Sequence, residues 1–289
     1  MLFSLITRPS VAKLALGLGL ALVTAPLGWC DTVGSIFLTG HDPDFHAFEG
    51  GNGSGAAHII QDAMAFITNP AFNTFSAGGI NKFLYVEGST PPPGGNIEGD
   101  LGLAAAGFVE GVNYDEADAT TLNAALNNLG TTYSAIVVAS DFGGNLTQAE
   151  LNILDARSGD IIAFLDNGGG LFAMAESGTT GNTSGGRFGF LPFVVVSNTL
   201  NEAENGNTVT PLGASLGLTN ADVNGNFSHN IFTSTGGLGI VDSDSGGEIL
   251  SLAGRGQVTA GGITPEPGTL LLVGSGLIGA IARRRRKAA

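Results

Sequence analysis

The chain has 289 residues, of which 25 are acidic, 11 basic, four histidine and one cysteine. Seven of the basic residues (Arg8, Lys13, Arg283 to Arg286 and Lys287) sit in the two ends, and of the acids only Glu266 does. The stretch between therefore holds Lys82, Arg157, Arg187 and Arg255 against 24 acids, an excess of 20 negative charges. Such a surface repels nucleic acid and anionic lipid and suits cations or solubility outside the cell, and with no cysteine beyond Cys30, disulfide staples and thiol catalysis are excluded.

Residues 1–30 read as a secretory signal peptide. Arg8 and Lys13 precede the apolar run Leu14–Val23, and small residues at Gly28 and Cys30 set a cut before Asp31. Two alternatives stand beside this. A lipoprotein reading of Cys30 meets Trp29 where a small residue normally sits. An uncut anchor meets an apolar run that is short for a membrane span.

The secreted region, 31–263, then alternates strand and helix. Val33–Thr39 is continuously apolar enough for a strand buried on both faces. His41-Asp42-Pro43-Asp44-Phe45-His46 and a glycine-rich turn follow it. Ala56–Ile67 carries Ala57, Ile60, Met64 and Ile67 on one helical stripe and stops at Asn69-Pro70. Lys82–Glu87 is a second strand, Gly99–Val109 an Ala-rich helix, and Ala119–Leu129 a further helix. Tyr133–Ser140 is the clearest strand and runs into Asp141. Thr147-Gln148-Ala149-Glu150 is a capping box, and the helix behind it reaches Leu165 with a break near Ser158-Gly159. Gly168 to Gly170 end it, the strand Leu171–Ala175 follows, and then Glu176-Ser177. A fifth strand is expected over Phe193–Ser197. The remainder holds short alternating runs and His229.

Apolar strands separated by helical stripes predict an α/β fold: a mostly parallel, doubly wound, flavodoxin-like sheet with helices on both faces. The runs Ile36–Leu38, Phe83–Val86, Ile136–Ala139 and Phe172–Met174 should be neighbouring central strands. In such sheets the loops past the strand ends gather on one edge, where ligands bind. The residues delivered there are His41, Asp42, Asp44 and His46, then Glu87, Asp141, and Glu176 with Ser177. His229 is late enough in the chain to reach the same crevice. His41, Asp42, Asp44 and His46 are residue types that hold a divalent cation. Glu176, Asp141 and His229 are the candidates for acid, base or ligand roles. Each has a plainer reading: an Asp capping a turn, a carboxylate facing solvent, a loop histidine. His58, inside a helix, reads as structural. No phosphate-loop motif is present.

The last 26 residues place Pro265-Glu266-Pro267 before an apolar run, Gly268–Ala282, and then Arg283 to Lys287. About 15 apolar residues cross a bilayer only with thinning and snorkelling of the arginines, which then stay cytoplasmic. This order resembles the PEP-CTERM sorting signal. The resemblance implies an exosortase as partner beside signal peptidase, transient anchoring by a short transmembrane helix over 264–289, and a destination in the envelope or outside the cell. In the middle of the chain, strand-Gly-His-Asp at Leu38–Asp42 and helix-Gly-Gly-Gly-strand at Leu165–Ala175 resemble the class I glutamine amidotransferase-like fold, nearest its trehalose-utilisation branch. There the turn after the corresponding strand carries a nucleophilic cysteine. Here it holds Ala175-Glu176-Ser177, so the thiol mechanism cannot operate, and no Gly-x-Ser-x-Gly elbow surrounds Ser177. Two functions follow. One is a non-catalytic, exosortase-sorted surface or matrix protein associated with exopolysaccharide. The other is a carbohydrate-active or metal-dependent hydrolase working through the acidic and histidine groups of the strand edge.

Overall fold

The computed structural model describes residues 33–88, 99–141, 145–174, 188–195, 197–199, 205–225, 230–259 and 262–264. All lie within the compact unit Thr32–Glu266. The two terminal helices expected from the sequence fall outside the described residues.

Five strands form a parallel half-sheet: β1 (Gly34–Thr39), β2 (Lys82–Val86), β3 (Tyr114–Ala117), β4 (Tyr133–Val138) and β5 (Gly170–Met174). Their spatial order is β3-β2-β4-β5-β1, each neighbouring pair parallel. The four apolar runs expected as neighbours are neighbours. β1, β4 and β5 are buried along their whole length, as a strand covered on both faces must be.

The cover comes from helices, and two glycines show that it lies on both faces. Ser35 pairs with Gly170, so Gly34 points to the opposite face from Gly170. A Cβ on Gly170 would sit 2.5 Å from the carbonyl of Ile67, in helix α2 (Gly53–Ile67). A Cβ on Gly34 would sit 2.8 Å from the carbonyl of Leu165, in helix α7 (Ser158–Asp166). Helices α2 and α7 therefore press on opposite faces so closely that only glycine fits beneath them.

Between these lie the short helices α1 (Pro43–His46), α3 (Thr74–Ala77), α4 (Gly99–Ala105) and α5 (Leu122–Ala125), and α6 (Gln148–Ala156). The break expected near Ser158 separates α6 from α7. The capping box at Thr147 is formed, and Glu150 also accepts the N–H of Ala119 at 2.7 Å. The helix expected over Ala119–Leu129 is one turn of α-helix continued as a 3-10 turn at Leu126–Asn128. Tyr114–Ala117 is a strand that the sequence reading missed, because three of its four residues are polar or aromatic and it borders the sheet.

The sheet as a whole is mixed, which corrects the mostly parallel expectation. The last third of the chain adds β6 (Ser197–Thr199), β7 (Thr208–Val209), helix α8 (Pro211–Leu216), β8 (Asn230–Phe232), β9 (Gly239–Ser243), β10 (Ile249–Thr259) and β11 (Gly262–Thr264). β10 runs antiparallel beside β1, from Thr39↔Ser251 to Gly34↔Gly256, and also pairs with β8, β9 and β11. Antiparallel neighbours need only short turns, so this part carries no helical stripes to announce it. Its small residues (Ala253, Gly254 and Gly256) hid an 11-residue strand. The expected fifth strand at Phe193–Ser197 is displaced: residues 193–195 are irregular, and the strand is Ser197–Thr199.

Candidate functional site

β2 hands the chain outward to β3, whereas β4 hands it the other way to β5. Since β2 and β4 are neighbours, the sheet has its topological switch point between their C-terminal ends. Glu87 follows β2 there, and Ser140 and Asp141 follow β4. The turn after β1 enters the same edge with His41, Asp42, Asp44 and His46. All of these side chains are buried: Asp44 is 0% exposed, His41 and Asp42 1%, Glu87 and Asp141 3%, His46 4%.

The carboxylates knit the edge together. Asp44 accepts the N–H of Ser140 at 2.8 Å and that of Phe45 at 3.2 Å. Glu87 accepts the N–H of Gly99, the first residue of α4, at 3.2 Å. α4 in turn lies directly on α1: a Cβ on Gly102 would fall 1.8 Å from the carbonyl oxygen of Asp44. After β4, Asn145 adopts a left-handed backbone (φ 53). Its amide donates to the carbonyl of Gly88 at 2.6 Å, and its own carbonyl receives the Gly88 N–H at 3.1 Å. Asn145 thus ties the end of β2 to the loop after β4.

Burial dominates the electrostatics. Desolvation, with help from the Asp44 carboxylate, pushes the Glu87 carboxyl up to about 10, against the Gly99 N–H, which favours ionisation. Desolvation raises Asp44 to about 6 even though the Ser140 and Phe45 N–H groups stabilise its charged form. Asp42 is raised well above the ordinary carboxylate range by burial first and then by Asp44. At neutral pH Glu87 is a carboxylic acid.

The three histidines among the described residues are paired. His41 Nε2 lies 2.8 Å from Asp242 Oδ2, both side chains buried. His46 Nε2 lies 3.3 Å from Asp42 Oδ1, one helical turn away. His58 meets Asp222 at 2.9 Å, in keeping with its structural reading. The four cation candidates are brought into one turn. Even so, among the described residues no three His, Cys, Asp or Glu side chains surround a common point as a metal site requires. Asp141 reaches the edge. Glu176, Ser177, His229 and Pro265 to Pro267 lie outside the described residues.

The sequence reading missed Asp242, Ser140 and Asn145. Asp242 sits in a Ser/Asp/Gly run that reads as a turn, and Ser140 contributes a backbone N–H, which no residue type advertises. Asn145 had one signal: asparagine between a Gly-Gly pair and a helix cap is suited to a left-handed backbone.

Residues 264–287 match the PEP-CTERM protein-sorting motif. PEP-CTERM domains are recognised by exosortase, so the tail makes this chain similar to exosortase-sorted secreted proteins. No curated protein matches the chain. Among the described residues, no helix is long and apolar enough to cross a membrane; the apolar run of the tail lies outside them.

Proposed function

We propose that this is an exosortase-sorted protein of the cell envelope or extracellular matrix, non-catalytic, associated with exopolysaccharide, and exported behind the signal peptide of residues 1–30. The match at residues 264–287 carries the reading. It is supported by the pairing of Gln257–Thr259 with Gly262–Thr264: the sheet runs up to the residue where the sorting motif begins. The non-catalytic part is supported by the structural work that several edge groups perform. Asp44 and Glu87 hold backbone N–H groups, His46 sits on Asp42, and His41 on Asp242. The amidotransferase-like likeness of residues 33–200 belongs to this proposal. The five parallel strands between helices support it, and Ala175-Glu176-Ser177 in place of a cysteine turn removes that family's chemistry from it.

The test is intact-mass measurement on the protein secreted by its native host. The mature species should lack residues 1–30 and the basic cluster Arg283–Lys287. Recovery of extracellular protein still carrying that cluster overturns the sorting reading.

One observation favours the hydrolase reading. His41 Nδ1 has no hydrogen-bond partner, while Asp242 holds Nε2. An imidazole oriented by a carboxylate, with its other ring nitrogen unpaired, has the pairing of a general base, here in a buried position. Asp141, Glu176 and His229 would complete that site, with a divalent cation on His41, Asp42, Asp44 or His46. Metal analysis of the purified chain and glycan hydrolysis by wild type and Asp242→Asn decide it. Stoichiometric zinc or manganese, or hydrolysis lost in the variant, establishes the enzyme; absence of both removes it.

A further inference from the structure

The opposite edge of the sheet, where the parallel strands begin, carries a groove of about 590 Å³. That is within the range of small-molecule sites, and every residue lining it lies outside the acidic edge. Its floor is aromatic and aliphatic. Phe75, half-buried on α3, stacks on buried Phe164 of α7 with ring centroids 5.2 Å apart and planes 9° from parallel, and Leu129 lies beside them. Its rim is polar and mostly uncharged: Asn127 and Thr131 on one side, Asn167 on the other.

The two ionic groups on the rim cancel. Arg157 Nε lies 2.5 Å from Asp160 Oδ2. The rest of the guanidinium is committed to Asn123, at 2.8 Å to its carbonyl and 2.7 Å to its side chain, and to the Asn127 side chain at 2.9 Å. The arginine therefore acts as a brace that fixes the rim, with no net charge left for an anion. The one carboxylate is already paired with that arginine, so the rim carries no net charge to draw a cation. A surface carrying 20 excess negative charges repels acidic polymers further. What remains is a rigid apolar floor within reach of neutral amide and hydroxyl groups.

We propose that this groove binds a neutral saccharide. A hexose has a face of C–H groups that lies on aromatic rings and an edge of hydroxyls that each donate and accept, which suits amides and hydroxyls held at fixed positions. The pre-set rim lowers the ordering cost of binding. This deepens the polysaccharide part of the proposed function and is independent of the tail and of the acidic edge.

The test uses the purified full chain with neutral glucan, mannan, galactan and xylan oligosaccharides, alginate as an acidic control and an unstructured neutral peptide as a second. Calorimetry and saturation-transfer NMR read the binding. At least one neutral saccharide should bind, with alginate and peptide silent. Phe75→Ala should weaken binding about tenfold, the equivalent of 1.4 kcal/mol. Since that change can loosen α3, Ala163→Trp provides the second arm. Ala163 is exposed on α7 in the groove, and an indole there fills the space while removing no contact. It should abolish binding, and Ala65→Trp on the exposed side of α2 should not. If no neutral saccharide binds, or alginate or the peptide binds instead, the ligand class is overturned. If a saccharide binds and Ala163→Trp leaves it unchanged, the groove is not its site. Neither result bears on removal of the tail, which mass measurement reads separately.

Discussion

Asp44, in the turn after β1, accepts the backbone N–H of Ser140, the second residue past β4, at 2.8 Å. One carboxylate thereby joins the ends of two strands that are separated by β5, and it does so from a fully buried position.

Burial places the Asp44 carboxyl at about 6, above the ordinary value of 3.8. The folded chain therefore holds this proton in a window where the unfolded chain has released it. The contribution of this group is fully present below about pH 4, is lost as pH rises from there to about 6, and is flat above. Two pKa units correspond to about 3 kcal/mol. Asp42 and Glu87, also raised, act in the same direction. Urea midpoints measured from pH 4 to 8 should decline, and Asp44→Asn should be more stable than wild type at pH 8 with little difference at pH 4. A variant gap that does not change with pH would show Asp44 to be ionised throughout.

Glu87, as a neutral acid accepting from Gly99, is closely imitated by glutamine. At pH 7 folding must return a proton to Glu87 but not to glutamine, so Glu87→Gln should be more stable than wild type, with the gap closing toward pH 4. Glu87→Ala leaves the buried Gly99 N–H without its acceptor and should cost about 1–3 kcal/mol. Chemical denaturation of the two variants checks this. Equal losses would mean that the carboxylate charge matters, contrary to its raised pKa.

Gly102 is where α4 touches α1. The Asp44 carbonyl oxygen lies 1.8 Å from where a Cβ would be, so Gly102→Ala forces the two helices apart. Because that oxygen is backbone, no rotamer change relieves the clash, and a loss of about 1–3 kcal/mol is expected, the usual cost of overpacking. Gly107, with nothing within 4 Å of its Cβ position but φ 93, tests the other reason for a glycine. Gly107→Asn should be tolerated better than Gly107→Val, since asparagine adopts the left-handed region most readily.

Most of the parallel half of the fold was legible because four of its five strands are apolar runs with helical stripes between them. β1, β2, β4 and β5 followed from Ile36–Leu38, Phe83–Val86, Ile136–Ala139 and Phe172–Met174. β3 was not legible: Tyr114-Asp115-Glu116-Ala117 lies at the sheet border and has no apolar run to show. β10 was not legible for a different reason. Its middle is made of the small residues Ala253, Gly254 and Gly256, which leave no periodic signal. The edge residues followed from one rule about strand ends, which brought in His41, Asp42, Asp44, His46, Glu87 and Asp141 together. Their partners did not. Ser140 acts through its backbone, and Asp242 is 201 positions from His41. A single sequence has no means of pairing residues at that separation.

That last pair yields the sharpest expectation. His41 and Asp242 meet at 2.8 Å with side chains 1% and 0% exposed, and each keeps one polar atom without a hydrogen-bond partner, His41 Nδ1 and Asp242 Oδ1. A buried pair is costly to break and often cheap to replace. Removing one partner strands the other, whereas exchanging both for apolar residues of similar volume removes two desolvation penalties together. Asp242→Ala should lose about 3–5 kcal/mol. The double variant His41→Phe/Asp242→Leu should recover most of that loss, because β9, β10 and the turn after β1 already enclose the site. Denaturant unfolding of the wild type, His41→Phe, Asp242→Leu and the double variant closes the cycle, with Asp242→Ala measured beside it. Recovery in the double variant would show that folding does not need the polar pair, and a buried pair kept at the cost of two orphaned atoms would then have to serve the molecule in another way. A double variant as unstable as Asp242→Ala would show instead that the pair is an irreplaceable strut between β1 and β9, and the open Nδ1 would lose its standing as a general base.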